Sequence, residues 1–135
     1  MPWKPEIDHL GIAVRDLEAA CRWYALLGLE AVSREEVPQE QVRVAMLPLA
    51  GGRIELLEAT AEDSPVGRFL AKRGEGLHHV ALKVPDLPVV LERLRAQGAR
   101  LLHPELQTGA GGHRYIFVHP ASTGGVLLEL IETEP

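Results

Sequence analysis

The chain alternates between two hydrophobic rhythms. From Ile7 to Val14 apolar and small residues fall on alternating positions, the period of a strand. At Asp16 the rhythm changes to helical spacing, with Leu17, Ala20, Cys21, Tyr24 and Leu27 on one stripe. Asp16 stands where an N-cap carboxylate accepts from the first helical amides, and Gly28 where a helix stops. Strand-like stretches follow at residues 29–37, 42–49 and 53–58, with Gly51-Gly52 supplying the turn before the last. The order predicted is βαβββ.

The same order then returns. Residues 7–32, IDHLGIAVRDLEAACRWYALLGLEAV, align without gaps on residues 77–102, LHHVALKVPDLPVVLERLRAQGARLL, at a shift of 70. His9 falls on His79, Val14 on Val84, Asp16 on Asp86, Leu17 on Leu87 and Gly28 on Gly98. The second helical stripe is Leu87, Val90, Leu91 and Leu94, and strands are expected at 99–103, 115–118 and 126–132, with Thr123-Gly124-Gly125 as the last turn. Between the copies, Ser64 before Pro65 marks a helix start and Gly74 its end. The expected architecture is α+β: one domain over residues 1–135, made of two βαβββ repeats (about 5–60 and 75–133) joined by a short helix.

Four residues of metal-ligand type occupy equivalent places in the repeats. Alternation puts His9 and His79 on the same face of the two opening strands, and each closing strand carries one mid-strand carboxylate, Glu55 and Glu129. If a pseudo-twofold axis relates the two curved sheets, these four converge between them. Imidazole plus carboxylate suits one divalent ion per chain (Co, Mn, Ni, Zn or Mg), and four protein ligands leave positions open for substrate, a catalytic design. Taken singly, a strand histidine is more often a hydrogen-bonded core residue. Glu129, however, is flanked by Leu127, Leu128, Leu130 and Ile131, and an unpaired carboxylate in such a strand costs several kcal/mol. The other reading of the four is a satisfied polar core. His78 lies on the opposite face from His79, and His103, His113 and His119 read as peripheral. The glycine-rich stretch from Thr108 to Arg114 lacks the Lys-Ser/Thr of a phosphate-binding loop and reads as a flexible lid or a loop at a ligand's edge.

Composition narrows the classes. The 135 residues, 46% hydrophobic and 24% charged, describe an ordinary soluble globular protein. A net charge of −5 with scattered Lys and Arg gives no basic stripe for nucleic acid. No apolar run reaches the roughly 20 residues that span a bilayer, and the opening Met-Pro-Trp-Lys-Pro-Glu is no signal peptide, so neither membrane nor export is expected and the cytoplasm is. Cys21, the lone cysteine, lies in a helical apolar pattern and is a poor nucleophile. Lys72, Arg73 and Arg114 read as solvated charges, with phosphate contact as the alternative.

Three stretches carry a family resemblance: IDHLGIAV, DSPVGRFLAKRGEGLHHVALKV and YIFVHPASTGGVLLELIE. They resemble segments of methylmalonyl-CoA epimerases, members of the vicinal oxygen chelate (glyoxalase-like) superfamily, and the stretch from Asp63 to His79 is the most specific part. The resemblance implies a glyoxalase-type fold, an acyl-CoA substrate, and epimerisation at C2 by proton abstraction and return through a metal-stabilised enolate. It places the metal ligands at His9, His79 and Glu129, with a fourth at Glu55. Glu129 is then the first base and Glu55 the candidate for the second. The sequence departs from one branch of relatives, which carries Gln at the position of Glu55 and a catalytic Glu at the position that here is Val44. A homodimer is expected from the same resemblance. Two alternatives stay open: an isomerase of the lactoylglutathione lyase type, which uses a similar ligand set, and a metal-free binding protein of the same fold.

Overall fold

A computed structural model describes residues 3–109 and 112–133. The chain divides into two compact units, one running from His9 to His78, the other joining His79 onward to the residues up to Asp8.

The first unit takes up β1 (Glu6–Ala13) from His9 and continues through α1 (Leu17–Ala25), β2 (Ser33–Val37), a 3-10 turn (Pro38–Glu40), β3 (Val42–Leu49), β4 (Gly52–Ala59) and α2 (Pro65–Arg73). Its strands lie in the order β2-β3-β4-β1. The pairs β2/β3 and β3/β4 are antiparallel hairpins, while β1 runs parallel to β4, with Gly11 opposite Glu55. Strand alternation makes both faces apolar in part, and each is covered by a helix. On one face Leu17 and Cys21 of α1 pack with Val14, Ala45, Leu47 and Leu56; on the other Val66 and Leu70 of α2 pack with Ala13, Val42 and Leu57. Leu17, Leu47 and Leu56 are fully buried, and each such side chain contributes about 2 kcal/mol.

Local chemistry sets the helix ends. Asp16 Oδ1 accepts from the Ala19 amide at 3.1 Å in the open, whereas Ser64 caps α2 from full burial. Its Oγ accepts from the Gly67 amide at 3.0 Å and donates to the Ala61 carbonyl at 2.7 Å. Gly67 is required by close approach: a Cβ there would stand 2.4 Å from the Ala61 carbonyl oxygen.

The second unit takes up β5 (Gly76–Val84) from His79, then α3 (Leu87–Ala96), the two-residue β6 (Gln107–Thr108), β7 (Arg114–Val118), the short α4 (Pro120–Thr123) and β8 (Leu128–Glu132). Its order is β5-β8-β7-β6. Strand β5 runs parallel to β8, with Ala81 opposite Glu129, and β7 is antiparallel to β8, with Phe117 opposite Glu129. Leu87 and Leu91 of α3 pack on Val84, Ile116, Val118 and Leu130, with Val90, Leu94 and Trp3 alongside.

The two sequence stripes bury as expected except at Leu27, which is 61% exposed because α1 has already ended at Ala25. Trp23, on the outer side of α1, is 57% exposed and meets Tyr24 edge-on at 5.2 Å. Three expected strands shrink; of residues 126–132 only Leu128–Glu132 form β8. Of residues 29–37 only Ser33–Val37 pair; Leu29 and Ala31 pack against the α1 core instead. Residues 99–103 keep one bridge, Leu101 to Val118, before Pro104 interrupts the chain's donors, and pairing resumes in β6. The last turn is a helix rather than a bare turn: α4 precedes it and Gly124, at φ 76°, ends it. The linking helix α2 has the expected boundaries, Ser64 as N-cap and Gly74 as C-cap. Among the described residues no helix is long and apolar enough to cross a membrane.

Candidate metal centre

Register explains how each unit presents its ligand-type residues. In a parallel pair, residues directly opposite share a face, and residues two apart along a strand do as well. His9 lies two before Gly11, the partner of Glu55; His79 lies two before Ala81, the partner of Glu129. Each unit therefore sets one imidazole and one carboxylate on the same face of two neighbouring strands. His9 Nε2 stands 3.4 Å from Glu55 Oε1, and His79 Nε2 stands 3.2 Å from Glu129 Oε1.

These pairs are not solvated surface contacts. His9 is 3% exposed, His79 6% and Glu129 9%; the Glu55 side chain retains 16%. Burying ionisable groups costs several kcal/mol unless charge or hydrogen bonds compensate, and here each imidazole has a carboxylate beside it. An imidazole nitrogen and a carboxylate oxygen, turned toward each other in a water-poor place, form the donor set that intermediate divalent cations take. The donor chemistry fits the group the sequence implied.

Surrounding side chains fix the geometry. The His79 ring meets Phe117 edge-on at 5.5 Å, and Phe117, opposite Glu129 in β7, meets Tyr115 at 5.9 Å. Sequence reasoning singled out neither ring, although β7 alternation would have placed both on the Glu129 face. In the first unit Arg53 donates from Nε to Glu55 Oε2 at 3.0 Å. Its place two residues before Glu55 was a readable signal.

The other candidates have structural roles. His78 packs edge-on against Phe69 of α2 at 5.0 Å. His119 caps α4, its Nδ1 accepting from the Ala121 amide at 2.9 Å. Arg114 grips Glu132 through Nε and Nη2 at 2.6 and 2.7 Å, and the Arg73 guanidinium lies 5.9 Å from the Phe69 ring centroid. Val44 packs against the core under α2. Burial pushes the Cys21 thiol pKa up, which keeps it protonated and unreactive. Of the glycine-rich stretch, Ala110 and Gly111 lie outside the described residues; at its base the Gly109 amide donates to the His113 carbonyl at 2.8 Å, and a Cβ on Gly109 would meet the Tyr115 ring at 3.2 Å.

The chain is similar to known proteins along most of its length. A family model described as the glyoxalase/bleomycin resistance protein/dioxygenase superfamily matches residues 8–117. A protein of Cereibacter sphaeroides named ethylmalonyl-CoA/methylmalonyl-CoA epimerase is 39% identical, over 92% of this chain and 95% of its own. The crystal structure of methylmalonyl-CoA epimerase from Mycobacterium tuberculosis superposes with a TM-score of 0.89 at 40% identity, covering 96% of this chain and 89% of that one. A variant of the Streptomyces coelicolor methylmalonyl-CoA epimerase in complex with 2-nitronate-propionyl-CoA gives 0.88 at 41% identity, over 95% and 94%.

Proposed function

We propose that this chain, which belongs to the glyoxalase/bleomycin resistance protein/dioxygenase superfamily, is an isomerase that interconverts the two C2 epimers of methylmalonyl-CoA. The observation that carries this reading is the duplicated buried His–Glu pair, in a chain matched along nearly its whole length by proteins named as epimerases of that substrate. The two pairs are read as one centre for a single divalent ion, held by His9, Glu55, His79 and Glu129.

The reaction accounts for what such a site needs. A C2 proton between a thioester and a carboxylate is weakly acidic, and its removal leaves a planar carbon with negative charge on oxygen. A bound cation supplies Lewis acidity that stabilises that charge by several kcal/mol. The chain's own groups do the rest. Inversion requires a proton acceptor on one face of the planar carbon and a donor on the other. Glu129 is assigned to one face and Glu55 to the other, each within its own His–Glu pair. Phe117, 5.5 Å from the His79 ring, and Tyr115, 5.9 Å from Phe117, line the Glu129 side with apolar surface, which keeps water from competing for the proton.

The deciding experiment is incubation of the cation-loaded protein with one epimer of methylmalonyl-CoA in deuterated water. Both epimers should appear, with deuterium at C2. No interconversion at micromolar enzyme would refute the reading. A homodimer in the cytoplasm completes the proposal; light scattering and cell fractionation test those two parts.

A further inference from the structure

The repeat makes Glu55 and Glu129 equivalent in place but not in company. Arg53 and Glu55 stand two apart on β4, on the face that carries His9, and the register sets Arg53 opposite His9 itself. The Arg53 Nε donates to Oε2 of Glu55 at 3.0 Å, so Oε1 is the oxygen turned toward His9 Nε2 at 3.4 Å. Both side chains are more than two-thirds covered, Arg53 at 29% and Glu55 at 16% exposed. A charge-assisted bond from the rigid guanidinium fixes the plane of the carboxylate as well as its position. Two residues before Glu129 the chain has Leu127, which offers neither charge nor a side-chain donor.

We infer that Arg53 is a positioning residue for Glu55, selecting which of its oxygens faces the centre, and that the two faces of the reaction therefore depend on different support. Groups that orient a metal ligand through a hydrogen bond alter affinity or activity by about 10- to 100-fold when removed. Here the dependence falls on one carboxylate only. The inference rests on the function proposed above, with Glu55 and Glu129 serving opposite faces of the planar carbon.

Two variants test it, Arg53→Leu, which gives the first unit the residue found in the second, and Arg53→Lys, which keeps a charge near Oε2. The first measurement is titration with Mn2+ alone, free ion being followed by electron paramagnetic resonance. The second is wash-in of solvent deuterium at C2 from each methylmalonyl-CoA epimer separately. The Leu variant should bind Mn2+ about tenfold more weakly or worse and exchange at least tenfold more slowly from one epimer, while the other stays within about threefold of the unaltered protein. The Lys variant should recover part of both losses. A Leu variant indistinguishable from the unaltered protein in both measurements would overturn the inference. So would equal slowing from both epimers with a lowered melting temperature, the pattern of a contact that only holds the fold. If neither epimer is a substrate of the unaltered protein, the proposed function falls, while the Mn2+ titration still decides whether Arg53 holds Glu55 for a cation.

Discussion

Replacing Ser64 by Ala should destabilise the protein out of proportion to the single oxygen removed. Ser64 is fully buried, and its Oγ is the side-chain acceptor for the Gly67 amide at the start of α2. The Ala61 carbonyl loses the hydroxyl donor but keeps the Ser64 amide, at 3.2 Å, so one buried donor is orphaned rather than two groups. Loss of an N-cap costs about 1 kcal/mol where water replaces it, and an unsatisfied buried donor costs about 1–3 kcal/mol. These describe overlapping losses, and about 2 kcal/mol is the expected total. With an unfolding entropy of about 0.28 kcal/mol/K for a chain of this length, the melting temperature should fall by about 7 °C. Asp16→Ala is the control, because it removes the same kind of acceptor from an exposed cap and water can reach the freed Ala19 amide. It should cost about 1 kcal/mol or less. Urea denaturation of both variants measures the difference, with the slope m unchanged. If Ser64→Ala costs no more than Asp16→Ala, burial is not what makes this cap matter and the argument fails.

Other outcomes follow from the same structure. Gly67→Ala should destabilise by about 2 kcal/mol or more, since its Cβ would press on backbone at 2.4 Å that no side-chain rotation can relieve; an unchanged melting temperature would show that the preceding loop moves aside. The protein should take up about one divalent ion per chain, measured by metal analysis, and be stabilised by it; at a free ion concentration 100 times Kd the gain is about 2.7 kcal/mol. His79→Ala should abolish that stabilisation, whereas His78→Ala, which loses an edge-on contact with Phe69, should keep it; equal effects would place the ligand on the wrong face of β5. Glu55→Gln and Glu129→Gln should each lower net epimerisation about 100-fold or more while exchanging the α-proton from opposite epimers, and a Glu55→Gln protein at full rate with its metal intact would reduce Glu55 to a ligand.

The elements that were legible are those with two independent signals. Both N-capped helices and the linking helix carried periodicity together with a cap residue, and all three lie where expected. The His–Glu pairs were legible because the repeat gave each of the four a counterpart, and strand alternation then fixed their faces. Residues 99–103 misled because an apolar run says nothing about which neighbour completes its hydrogen bonds; Leu101 bridges Val118 and the chain then turns off at Pro104. Leu27 misled because the stripe was carried past the point where α1 unwinds into Gly28. Arg53 went unread for a different reason: the repeat drew the eye to positions that match, and Arg53 matters where the copies differ, Leu127 being its counterpart.

The two tryptophans fall one to each unit. Trp3 packs beside the core under α3, in the unit that begins again at His79, while Trp23 stands largely in solvent on α1 of the other. Their fluorescence should therefore differ in colour, with the partly covered ring emitting to the blue of the exposed one and resisting acrylamide quenching better. Trp23→Phe leaves a lamp that follows only the second unit, and Trp3→Phe one that follows only the first. Denaturation curves from these two single-lamp proteins would overlay if the halves melt as one cooperative body, and separate if one unit outlasts the other.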